Sequence, residues 1–150
     1  MPNLEEYFVQ LGVSEAYKSR AKEVLAQIKG VFGVDFVDDD VFVCTQYEKP
    51  EDVAPTHGNM LIIKPRFVVE AKDILSRSYF DILRVEHDLY YLDVITRDFV
   101  PGNLNDKSVL RVQGLVRNSS MHLNMNATGA SNCLRLNRLL KEALVPKFTA

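Results

Sequence analysis

The chain has 150 residues, 47% of them apolar and 25% charged, with a formal charge of −2. That composition suits one globular domain with a real core and excludes extensive disorder. The near-neutral balance also argues against a dedicated nucleic-acid binder, which would be clearly basic.

The opening residues, MPNLEEYFVQLG, lack the basic and apolar regions of a secretory signal. No apolar run reaches the length of a bilayer span. The expectation is a soluble, cytoplasmic protein with no transmembrane segment. In that setting the sequons at Asn118 and Asn126 carry no meaning.

Asn3 is placed to cap a first helix, with Glu6 three residues on, and Leu4, Tyr7, Phe8 and Leu11 share one face. Gly12 interrupts. Ser14 is a second N-cap with Glu15 in the first turn, and Tyr17, Ala21, Val24, Leu25 and Ile28 form the apolar stripe of a second helix. Gly30 is its stop signal. Residues 1–30 therefore read as an N-terminal helical extension, and residues 31–150 as an antiparallel β domain.

From Val31 the period changes. After Asp38-Asp39-Asp40, the run Val41–Tyr47 is β-branched and aromatic and reads as a strand. Lys49–Gly58, with Pro50, Pro55 and Gly58, reads as a loop. Met60–Ile63 and Phe67–Val69 flank Lys64-Pro65-Arg66. Pro65 cannot donate to a ladder, so the segment is strand, tight turn, strand. Ser78–Glu86 is assigned as a strand, although helix propensity competes there. Leu89–Phe99 alternates as a clearer strand, residues 101–106 form a hairpin loop, and Ser108–Val116 and Met121–Asn126 are the last strands. A final helix over Thr128–Leu144 buries Cys133, Leu136, Leu140 and Leu144, with Pro146 just beyond its end. The predicted class is α+β: N-terminal helices, about seven antiparallel strands forming a half-barrel, and one C-terminal capping helix.

This order resembles the bacterial PH-like domains, relatives of pleckstrin-homology and GRAM domains, over about residues 41–145. Four places carry the likeness: the LIIKPRFVV hairpin, the Tyr79–Glu86 segment YFDILRVE, the two long strands around the variable hairpin Asp98–Lys107, and the short strand MHLNMN leading into the closing helix. The resemblance implies a PH-like half-barrel. It does not imply phosphoinositide binding, because VFVCTQYE carries no Lys or Arg where that mode needs a basic cluster.

No catalytic constellation stands out. Asp35 and Asp38–Asp40 lack the glycine and glutamate of a calcium loop and read as a solvated turn. His57, His87 and His122 have no ligand-spaced partners, so neither metal nor cofactor is expected. Cys44 and Cys133 lie in apolar settings and read as free, inert thiols. Arg66, Arg77, Arg84, Arg97, Arg111 and Arg117 recur on strands, and read as a solvated sheet face paired with Glu70, Asp81, Asp93 and Asp98, or as a surface for phosphate or acidic peptide.

The leading expectation is a non-enzymatic PH-like module that binds a protein partner or small ligand through an exposed sheet edge or loops. Its candidate contacts are Phe36, Val37, Lys64, Arg66, Tyr90 and Tyr91. The N-terminal helices could cover the sheet or support a homo-oligomer. The alternatives are a small-molecule carrier with a pocket between helix and sheet, and a small enzyme using His57 or His122.

Overall fold

A computed structural model describes residues 2–49, 51–77, 79–100 and 102–149. Pro50, Ser78 and Pro101, which the sequence assigns to a loop, a strand start and a hairpin, lie outside those described.

The chain opens with helices α1 (Leu4–Leu11) and α2 (Glu15–Gly30). Asn3 Oδ1 accepts the Glu6 amide at 2.8 Å, and Ser14 Oγ accepts the Tyr17 amide at 3.1 Å. These bonds satisfy amide groups that the first turn leaves unpaired. Gly12, at φ +70°, makes the left-handed break between the helices. Gly30 is the last helical residue rather than the first one beyond the end. A 3₁₀ turn over Asp38–Asp40 then leads into the sheets.

Seven antiparallel strands follow in two sheets. The first holds β1 (Val41–Gln46), β2 (Thr56–Ile63), β3 (Phe67–Lys72) and β4 (Tyr79–Arg84), in that order. A four-residue helix, α3 (Val85–Asp88), leads to the second sheet of β5 (Leu89–Arg97), β6 (Val109–Val116) and β7 (His122–Thr128). No strand of one sheet pairs with a strand of the other among the described residues, so the barrel stays open. Residues 79–84 are strand, as expected, and helix takes only the end of that segment. β2 begins at Thr56, so His57 stands on a strand and not in the expected loop.

The first sheet is covered on both faces. Val41, Val43, Met60, Ile62, Val69 and Ala71 point to α1 and α2. Phe42, Cys44, Leu61, Ile63 and Val68 point to the second sheet and the C-terminal helix. This is why β1 reads as a continuous apolar run instead of an alternating one. Burying side chains such as Phe8 and Ile28 contributes about 1.5–3 kcal/mol each. The boundary near residue 30 separates element types, but packing crosses it.

The C-terminal helix is longer than its sequence suggests. α4 (Ala130–Leu139) passes through a π turn at Leu140–Leu144 into α5 (Val145–Thr149). Pro146 lies inside this last segment, not beyond it. It occupies the first turn of α5, where its missing N–H costs least, and the Val145 amide bonds back to Leu140 O in the widened turn before it. Cys133, Leu136, Leu140 and Leu144 are all buried, as their spacing predicts.

Candidate binding surface

β5 is the outermost strand of its sheet. It pairs with β6 alone, and no described strand lies on its other side. Cross-strand register assigns its faces. Val94 stands opposite Val112, which is buried, so Leu92, Val94 and Thr96 lie on the face that covers the core deeper in the sheet, although Val94 at the edge is itself 54% accessible. Tyr91, Asp93, Ile95 and Arg97 face outward. Side chains on both faces are exposed, and Ile95 is 59% accessible. A long edge strand with accessible apolar side chains is a ready template for another strand.

Tyr90 and Tyr91 are 50% and 52% exposed, so both are accessible, where alternation alone would expose one. The reason is a bulge. Leu89 pairs with Val116 and Tyr91 with Leu115, which leaves Tyr90 without a partner in β6. The Arg117 guanidinium lies 5.7 Å from the Tyr90 ring centre.

The other sequence candidates behave differently. Phe36 is only 5% exposed and packs in the core beneath α1 and α2, with Lys29 Nζ 4.9 Å from its ring centre, so it is not a surface contact. Its neighbour Val37 is 60% exposed. Lys64 is half-buried and held by Asp40 at 3.1 Å, while Arg66 is exposed and its carbonyl accepts the Val85 amide at 2.9 Å. Of the expected arginine–carboxylate pairs across the sheets, none forms among the described residues. Lys72 instead bridges Glu70 and Asp81, at 3.5 Å from each. Asp93, Arg97 and Arg111 enter no ion pair there either.

Beside the end of β5 lies a groove of about 590 Å³, bounded by Tyr47–Lys49, Asp52 and Val53, by Ile95–Asp98, and by residues 106–111. Tyr47 donates to Asp106 O at 3.1 Å and so ties the β1–β2 connection to the β5–β6 hairpin. Cations (Lys49, Arg97, Lys107, Arg111) and carboxylates (Glu48, Asp52, Asp98, Asp106) line it in equal number, giving no excess of one sign. A second cleft, of about 370 Å³, lies between α1 and α4. Its Arg135 is spent on structure. Nε donates to Val41 O and Nη2 to Asp38 O, both at 2.7 Å, and the guanidinium stacks 3.7 Å over the Tyr7 ring.

The chemically reactive side chains are dispersed. His57 Nε2 lies 2.8 Å from Leu11 O, which fixes the ring against α1. His87 and His122 are exposed at the ends of other elements. Burial pushes the Cys44 thiol up to about 12 and the Cys133 thiol up to about 11, so neither is a poised nucleophile. Glu70 is buried, and its desolvated carboxyl is raised above the usual value, with Lys72 and Asn59 opposing the shift. Among the described residues no group of three His, Cys, Asp or Glu could hold a metal ion, and no helix is long and apolar enough to cross a membrane.

Sequence reasoning found the two tyrosines but missed Ile95, Asp93 and Arg97 as a unit. Their alternation on a strand was visible, but its edge position is a property of the sheet. Compared with known proteins, the chain matches no family model, no curated protein and no solved structure.

Proposed function

We propose that this protein is a non-enzymatic binding module that takes up an extended segment of a protein partner along β5. One observation carries the reading: a nine-residue strand, open on one side, presents Tyr91, Val94 and Ile95 to solvent. Added-strand recognition draws affinity from main-chain hydrogen bonds and specificity from alternate side chains, and β5 offers both. The order of four strands, three strands and a closing helix also supports reading the chain as PH-like. Dispersal of the histidines and the raised thiols weighs against the enzymatic alternative.

The test starts from a random-peptide library selected on the intact chain. Selected peptides should slow amide hydrogen exchange over Asp93–Arg97, and Ile95→Lys should weaken them by roughly tenfold or more without changing the fold. Binders that leave β5 exchange untouched would refute the reading.

A further inference from the structure

The free edge of β5 is complementary to itself, and we infer that a second copy of this chain pairs with it there, antiparallel, with Ile95 opposite Ile95. This inference rests on the reading of β5 as a strand-accepting edge and names the occupant.

The geometry restricts the choice of register. A two-fold axis through the new strand pair makes the contact reciprocal, so a residue that faces its partner is faced by it in turn. Such an axis, perpendicular to the sheet, keeps the outer face outward in both copies. Facing residues must therefore come from the same face of β5. Centring on Ile95 sets Asp93 against Arg97 of the second copy, twice, and Val94 against Thr96, twice. Centring on Asp93 or on Arg97 sets like charges directly opposite, which is unfavourable. Centring on Val94 leaves Asp93 facing Ile95 and Arg97 facing Tyr91, with no ion pair. Only the Ile95 register matches each of these charges with its opposite.

Both charges are available. Asp93 and Arg97 are exposed and enter no ion pair among the described residues. The segment also lacks the devices that usually protect an edge. Asp93–Arg97 contains neither Lys nor Pro, and its bulge lies at the far end, at Leu89–Tyr91. The strand ends at Arg97, just before Asp98, whose φ of +49° breaks the extended backbone. The paired stretch is thus short and regular. It joins two three-stranded sheets into one of six strands. The ion pairs are exposed and small, so they set register, while backbone hydrogen bonds and the covered Ile95 pair hold the contact.

Light scattering or sedimentation across a dilution series reads the oligomer directly. The native chain should show the mass of two chains at high concentration and of one on dilution. Asp93→Arg and Arg97→Asp should each weaken self-association by roughly tenfold or more, since each turns two attractions into two repulsions. An equimolar mixture of the two variants should recover the dimer, because every 93–97 contact then joins opposite charges. Circular dichroism and melting temperature should match the native chain throughout. A native chain that stays at the mass of one chain at every concentration would overturn the inference, as would variants that dimerise like the native chain. If a monomeric chain still protects β5 on binding a selected peptide, the inference fails and the binding-module reading stands.

Discussion

The Tyr7 hydroxyl donates a 2.7 Å hydrogen bond to Asn132 Oδ1, joining α1 to α4 across the open edge of β1. The same hydroxyl accepts the Val43 amide at 2.9 Å, and Asn132 Nδ2 donates to Val43 O and to Thr45 Oγ1, both at 2.9 Å. Arg135 Nε covers Val41 O, and Thr45 Oγ1 accepts the Thr128 amide at 3.0 Å. Among the described residues β1 has no strand partner on this side, so side chains satisfy its buried backbone groups. The contrast with β5 is chemical. The free edge of β1 is capped by polar side chains, and that of β5 is left to solvent.

Tyr7→Phe keeps the ring and its stacking under Arg135 but leaves the Val43 amide and the Asn132 carbonyl oxygen without their partner. The expected loss is about 1–3 kcal/mol, read as a lower midpoint in chemical denaturation at unchanged slope. A midpoint equal to the native chain would show that the network does not seal the edge.

Leu140→Ala removes a buried side chain from the π turn, where Leu140 packs in the core beneath the closing helix. It should cost roughly 2–5 kcal/mol, the range for cavities in cores that collapse incompletely. Denaturation of the variant checks this, and a change below 1 kcal/mol would mean that the widened turn closes over the space.

Glu70 gives stability a pH dependence. Its carboxyl, raised by burial above the usual 4.5, holds its proton more tightly in the folded chain than in the unfolded one. Its contribution is therefore complete below 4.5 and is lost as pH rises through the raised value. Glu70→Gln removes that loss, so its melting temperature should climb relative to the native chain across this window and then level off. Parallel melting curves at every pH would exclude Glu70 as the source.

The thiols report on burial. Cys44 and Cys133 are both shielded, and the Cys133 Sγ lies 3.4 Å from Ser108 O. An Ellman-type reagent at mildly alkaline pH should find neither in the native chain and both after unfolding. Rapid labelling of native Cys133 would show that α4 opens from the sheets.

Much of this fold was legible because local signals and tertiary packing agree. Asn3 and Ser14 cap the helices that follow them, Pro65 turns the chain between two apolar runs, and the Cys133–Leu144 stripe faces the core. What escaped depends on the arrangement of elements. Phe36 looks like a loop aromatic until α2 folds over it. Tyr90 and Tyr91 alternate on paper, and a bulge exposes both. Asn132 and Arg135 look like ordinary polar helix positions, because β1, whose backbone they satisfy, is distant in sequence. Pro146 reads as a terminator where a widened turn absorbs it. The self-complementary edge is written in Asp93, Ile95 and Arg97, but only sheet order shows that the edge is open.

The bond between Tyr7 and Asn132 spans 125 positions of chain, which orders events during synthesis. The first two helices and the first sheet leave the ribosome with Tyr7 already present for the Val43 amide but with the carbonyls of Val41 and Val43 still open. The partners of those carbonyls, Asn132 and Arg135 on α4, follow 89 and 94 positions later. Until then a nascent chain carries the uncapped edge of β1 as well as that of β5, and both can recruit neighbouring chains on a crowded polysome. Slow translation before α4 would lengthen that exposure, and chaperone demand should rise with it.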